Sequence, residues 1–254
     1  MTVLLAVLFG SLIGLLLGLV GGGGSILTVP ILVYVLDQGV HEATATSLVI
    51  VGATALFGVV PHARAGRVAP RTALLFGGAG IAGAFAGTAL NRLVSGPVIL
   101  LLFGVLMLVV AARLGLGRQP SGEGGGEAIV HGVRWPVLVA GLVVGVLTGF
   151  FGVGGGFLIV PALVLVLGFP MRLAVGTSLV IIAINSAAGV VAHLSTGGID
   201  LPVALLFVAG GVVGATLGGR LTGRVDEARL ARGFAALVAL VGIYLVVRNG
   251  LSLA

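Results

Sequence analysis

Cysteine is absent from this sequence of 254 residues, and so is lysine. Without a thiol there are no disulfides, no thiolate metal sites and no redox chemistry at sulfur, which leaves methionine and four histidines as the soft or borderline ligands. Neither a metal nor a cofactor is expected. Charge is nearly as scarce. Charged residues make up 8% of the chain against 59% hydrophobic, and the mean hydropathy is +1.31, outside the range of a soluble globular protein. No aspartate or glutamate falls within an apolar run, where a proton relay usually keeps one. The first apolar run lacks a basic lead and a small-residue cleavage pattern, so it reads as a retained helix and not a signal peptide. The short alternating strands of a membrane barrel are missing as well. The net charge of +6 comes from arginines scattered among short loops, which are topology signals, and no nucleic-acid partner is expected.

What is present is an all-α polytopic membrane pattern. Apolar runs fall at about 3–20, 25–36, 43–60, 72–90, 97–112, 135–151, 156–168, 172–191, 202–219 and 230–247, most of them near the roughly 20 residues a helix needs to cross hydrocarbon. Ten helical segments are expected. The stretch GLVGGGGSILTVP (18–30) returns as GFFGVGGGFLIVP (149–161), and the offset of 131 between Pro30 and Pro161 continues without a gap to Leu90 and Leu221. About thirty of roughly seventy aligned pairs are identical, which marks a duplication. The chain therefore divides into a first repeat (1–112), a Gly-rich and polar linker (113–134) expected in the cytoplasm, and a second repeat (135–254).

With ten crossings, the loops after the third, fifth, seventh and ninth segments share one side and hold every arginine except Arg92 and Arg248. The positive-inside rule puts that side in the cytoplasm and both termini outside. Matched loops also differ in charge. HARAGRV (62–68) is basic, whereas its counterpart HLSTGGI (193–199) has lost both arginines and precedes Asp200. The reverse holds for NRLVSGP (91–97) against the arginine-rich stretch after Leu221. Two five-segment repeats of inverted topology should show this.

The run at 25–36 spans only about 18 Å as helix. Gly21, Gly22, Gly23 and Gly24, if extended, would add roughly 13 Å and lie inside the membrane, where unpaired backbone is tolerated only beside a cavity. The same argument applies to Gly152, Gly154, Gly155 and Gly156. Glycine N–H groups at a helix start suit an anion, and the alternative is a tight turn or close packing. Ser25 reads as an N-cap or a ligand hydroxyl. Thr46, Ser47 and Thr54, like Thr177, Ser178 and Asn185, form a polar stripe in each repeat, either as ligands or as back-bonded hydroxyls. Asn185 is the most cavity-like, because its amide is costly in lipid. His62 and His193 are matched and close to opposite membrane faces, with interfacial or proton-handling and gating roles open. Gly83/Gly87 and Gly214/Gly218 read as helix-packing GxxxG pairs.

These motifs, the repeated glycine-rich turn ending in Pro30 and Pro161 and the TSL triplets at 46–48 and 177–179, resemble the TauE/SafE or sulfite exporter family over nearly the whole chain. The resemblance implies an inner-membrane transporter of small sulfur-containing anions, such as sulfite or an organosulfonate, with the glycine turns at Gly21 to Ser25 and Gly152 to Gly156. A different reading, a membrane-embedded enzyme or sensor, would use Ser25, His62 and His193. The expected partners are a small anionic substrate and the lipid bilayer.

Overall fold

A computed structural model describes residues 2–116, 134–151, 156–193 and 198–253. Among them are ten helices: α1 (Thr2–Val20), α2 (Gly23–Tyr34), α3 (Val40–Arg64), α4 (Pro70–Asn91), α5 (Gly96–Leu116), α6 (Arg134–Phe151), α7 (Gly156–Pro161), α8 (Met171–His193), α9 (Leu201–Leu221) and α10 (Glu227–Leu253). A π-helical turn (Ala162–Val166) prolongs α7, and a 3-10 turn (Thr222–Arg224) follows α9. Seven helices, namely α1, α3, α4, α5, α8, α9 and α10, are long and apolar enough to cross a membrane. The shorter apolar ones are α2, α6 and α7 with its π turn.

The most extensive helix contacts run across the duplication. α1 lies against α9, α4 against α6, α5 against α10 and α3 against α8. Small residues make this possible, because lipid supplies no hydrophobic drive between helices and close backbone contact replaces it. Gly10, Gly14 and Gly18 of α1 press on the backbone of Phe207, Gly211 and Ala215 in α9. Gly141, Gly145 and Gly149 of α6 press on Phe76, Gly80 and Ala84 in α4, which are the same three pairs moved by 131 residues. From the other side, Gly83 and Gly87 meet the α6 backbone at Leu142 and Val146, as Gly214 and Gly218 meet α1 at Ser11 and Leu15. The GxxxG glycines therefore serve packing. Large aliphatic side chains such as Leu4, Leu205 and Leu240 stay exposed on the outer faces, as a lipid-facing surface requires.

The glycine run differs from its expected form. Residues 21–24 are not extended. Gly21 takes the left-handed conformation (φ 76°) and closes α1, its N–H bonding to the Leu17 carbonyl at 2.8 Å. Gly22 bonds back to Val20, and Gly23 and Gly24 already belong to the first turn of α2. Buried amides without water must find partners, and helix formation supplies them with the fewest residues left over. Pro30 lies inside α2, while Pro161 ends the regular part of α7 and the wider π turn takes up the change.

Candidate functional site

The glycine break of the first repeat meets Gly156 at the start of α7. The Cα of Gly22 faces the Gly156 carbonyl and the Phe157 backbone at the start of α7, and Gly21 faces Val160 together with Val175 and Ser178. Ser25 and Gly156 hold matched positions and face one another, so this contact lies where the two repeats exchange. Residues 21–25 are all buried. The first turn of α2 has no side-chain cap, although its N–H groups are buried. That is an unusual state for a helix start, which normally ends on a side-chain oxygen, water or a ligand.

The hydroxyls around this contact divide into three kinds. Ser25, Ser47 and Ser178 donate to carbonyls three residues earlier, Gly22, Thr44 and Val175, at 2.7, 2.8 and 2.7 Å. Thr46 and Thr177 accept backbone N–H groups from Asp200 and Ala69, each at 3.0 Å, and so tie each repeat to the segment that opens the other repeat's helix pair, α9 and α4. Thr54 and Asn185 are matched residues with buried polar atoms that have no hydrogen-bond partner. Thr54 Oγ1 is aimed at Gly211 and the Asn185 amide at Gly80, again the same pair moved by 131 residues. Ser186, against Gly52, and Thr88 also keep unpartnered buried hydroxyls. Neither was singled out in the sequence. Ser186 was findable as a second polar residue beside Asn185 within an apolar run, whereas Thr88 carries no such signal. Gly152, Gly154 and Gly155 lie outside the described residues.

The family model for the sulfite exporter TauE/SafE matches residues 6–245. The chain belongs to the TauE/SafE family. It is 36% identical over 247 residues to a probable membrane transporter protein of Xylella fastidiosa strain 9a5c, covering 96% of this chain and 95% of the relative. It is 38% identical over 250 residues to the counterpart from strain Temecula1, with the same coverage of 96% and 95%. The probable membrane transporter protein YunE of Bacillus subtilis is 28% identical over 267 residues, 97% of this chain and 98% of the relative. No solved structure matches the chain at a significant level. The chain is accordingly a multi-pass membrane transporter, and the enzyme reading does not fit a family of transporters.

The arrangement of the histidines in this TauE/SafE protein points the same way. The Ser25 hydroxyl donates to the Gly22 carbonyl and not to a histidine. The His62 Nε2–H donates to the Gly18 carbonyl at 2.9 Å, and Thr222 donates to the same oxygen at 3.0 Å. Gly18 is in the last turn of α1, whose terminal carbonyls lack helical donors, so both side chains close that end. At the matched end of α6, Asn91, the counterpart of Thr222, does the equivalent work, its amide donating to the Phe150 carbonyl at 2.6 Å and its carbonyl oxygen meeting His41 Nδ1 at 2.9 Å. His193 Nδ1–H turns back to Gly189 at 2.9 Å. Both histidines lie in the last turn of their helices and are buried within the protein, at 0% and 5% exposure. No group of three or more metal-ligating side chains occurs among the described residues.

Proposed function

We propose that this transporter exports a small sulfur oxyanion or sulfonate along the contact between its two glycine breaks. The observation that carries the reading is the buried, uncapped start of α2 set against Gly156. Helix N–H groups and the positive end of the helix dipole favour an anion there, and the closeness of two backbones demands a small one. The unpaired Asn185 amide and the Thr54 and Ser186 hydroxyls supply neutral donors nearby. Neutral donors suit an anion that must leave again, since a fixed buried cation would hold it. Gly21 to Gly24, Thr46, Ser47, Thr177 and Ser178, with Gly152 and Gly154 to Gly156, shape the path, and His62 and His193 stand at its two ends.

The repeats, 1–112 and 135–254 joined through 113–134, are read as inverted. An odd number of segments in each, the charge reversal between matched loops and the pairwise exchange of helix contacts support that reading. Both termini then face outward. The chain has no cysteine, so single cysteines at Ala65 and Thr196 report without background. An impermeant thiol reagent added outside intact cells is expected to label the second and spare the first. Equal labelling of both would refute the inversion.

Export of a monoanion from a cell that is negative inside gains about 2.3 kcal/mol per 100 mV, so no coupled ion is needed. The apolar runs carry no carboxylate for a proton to use. We therefore expect electrogenic uniport. In proteoliposomes preloaded with sulfite, thiosulfate, sulfoacetate, taurine or sulfate, an inside-negative potential accelerates efflux of the substrate. The acceleration survives His62→Gln with His193→Gln. Efflux that ignores the potential and follows an imposed pH gradient would replace uniport by proton symport, and absence of flux for every anion in the panel would overturn the sulfur-anion reading.

A further inference from the structure

A cleft of about 370 Å³ opens between the C-terminal ends of α3 and α9, and its lining includes Arg64, Arg67 and Arg220 with Pro61, Thr216 and Gly219. Three guanidinium groups of one sign share one concavity, and among the described residues none of the three is paired with a carboxylate. A chain of contacts runs inward from its wall. Gly219 in its wall packs on Pro61 and on the His62 ring, His62 is bonded to Gly18, and the Gly21–Gly22 break follows three residues later. The Nδ1 atom of His62 is buried and unpartnered in this passage.

The duplication shows that these arginines are not there for the fold. The opposite end has the same helix ends and the same glycine contacts, yet the positions matched to Arg64, Arg67 and Arg220 are Ser195, Gly198 and Ala89. The opposite end holds one arginine, Arg92, whose guanidinium donates to the Ala192 carbonyl at 3.3 Å, whereas three arginines line this cleft. A general excess of arginine on the cytoplasmic side accounts for their number. It does not account for their convergence on one cleft, whose wall at Gly219 packs on the His62 ring.

We propose that Arg64, Arg67 and Arg220 form an anion-collecting site at the cytoplasmic mouth, which takes a small oxyanion before it enters the glycine contact. This rests on the anion-export reading above and adds to it a first binding station and a sidedness. Planar guanidinium forks bind the oxygens of a sulfite, sulfonate or phosphate group in pairs, and a cationic concavity raises the local anion concentration. An exposed site binds weakly enough to pass its ligand on, and the other end, with Arg92 bonded to the Ala192 carbonyl, offers no matching cluster of three for the departing ion.

The test measures sulfite flux from each face in proteoliposomes of neutral lipid, with protein of one orientation silenced through the Ala65→Cys label. For the triple variant R64Q/R67Q/R220Q, the KM from the arginine face is expected to rise by about tenfold or more, with the maximal rate held within about threefold, because the cleft gathers the ion and does not conduct it. The KM from the opposite face stays unchanged, and the triple lysine variant recovers part of the loss. An unchanged KM, or an equal rise from both faces, overturns the proposal. So does an effect that appears only when anionic lipid is added, since the arginines would then be holding lipid phosphate. If the wild type carries no sulfite, the export reading itself fails, and calorimetric titration of sulfite into the detergent-purified proteins decides the cleft alone. Binding lost in the triple glutamine variant upholds the site, whereas binding that persists, or is absent from the wild type, removes it.

Discussion

Gly22→Val abolishes sulfur-anion flux, whereas Gly23→Ala, one residue further on, leaves flux and thermal stability close to wild type. A Cβ at Gly22 would overlap the Gly156 carbonyl and approach the Phe157 Cα to 2.6 Å. Both are backbone atoms of the opposing repeat, so no side chain can swing away, and overpacking of this kind costs about 1–3 kcal/mol or forces the breaks apart. At Gly23 the nearest atoms to an added Cβ are the Leu16 carbonyl at 3.5 Å and side-chain carbons at 3.6 Å, which is ordinary contact. Alanine there also gains up to about 1 kcal/mol of helix propensity over glycine. The sequence weights the glycines of the run alike, and only the structure separates them. Flux and melting temperature of both variants, with Gly22→Ala as the milder case, form the test. Equal loss in the Gly22 and Gly23 variants would mean that the run acts as a unit, and unimpaired flux in Gly22→Val would contradict the contact between the breaks.

Asn185→Ala is expected to lower flux by about tenfold or more while the melting temperature holds or rises. A buried polar group without a partner costs about 1–3 kcal/mol, and both polar atoms of this amide are in that condition at 0% exposure. A buried amide left without a partner against Gly80 fits a ligand role, because an anion would supply the missing acceptor for its N–H groups. The matched Thr54→Val variant should follow the same pattern with a smaller loss. The measurement is flux against melting temperature for each variant. A lower melting temperature with normal flux would show that Asn185 serves packing against Gly80 and nothing more.

The helices were legible because their cause is local. Each apolar run predicts a helix within a few residues of the observed ends, as in α1, α6 and α9, and the linker between the repeats stands out by composition alone. The candidate site was legible only as a set of polar residues. Ser47, Thr46 and Asn185 look alike in an apolar run, yet one bonds its own helix, one holds the Asp200 backbone 154 residues away and one is left unpaired. Helical periodicity puts Ser47 and Thr54 on one face but does not say what that face meets. The extended glycine run failed as an expectation for a related reason: chain length can be counted in sequence, whereas the need of buried amides for partners decides how the chain spends it.

By itself the sequence determined that this protein is helical, lies in the membrane, is duplicated and belongs among the TauE/SafE transporters, because hydropathy, repetition and motif are properties of neighbouring residues in the chain. Tertiary structure alone decided that α1 pairs with α9 and α4 with α6, that Gly22 and not Gly23 touches the opposite repeat, and that Arg64, Arg67 and Arg220 converge on one cleft. Those outcomes depend on how closely two backbones far apart in the chain can approach. That distance is set by which small side chains face one another once the helices have packed.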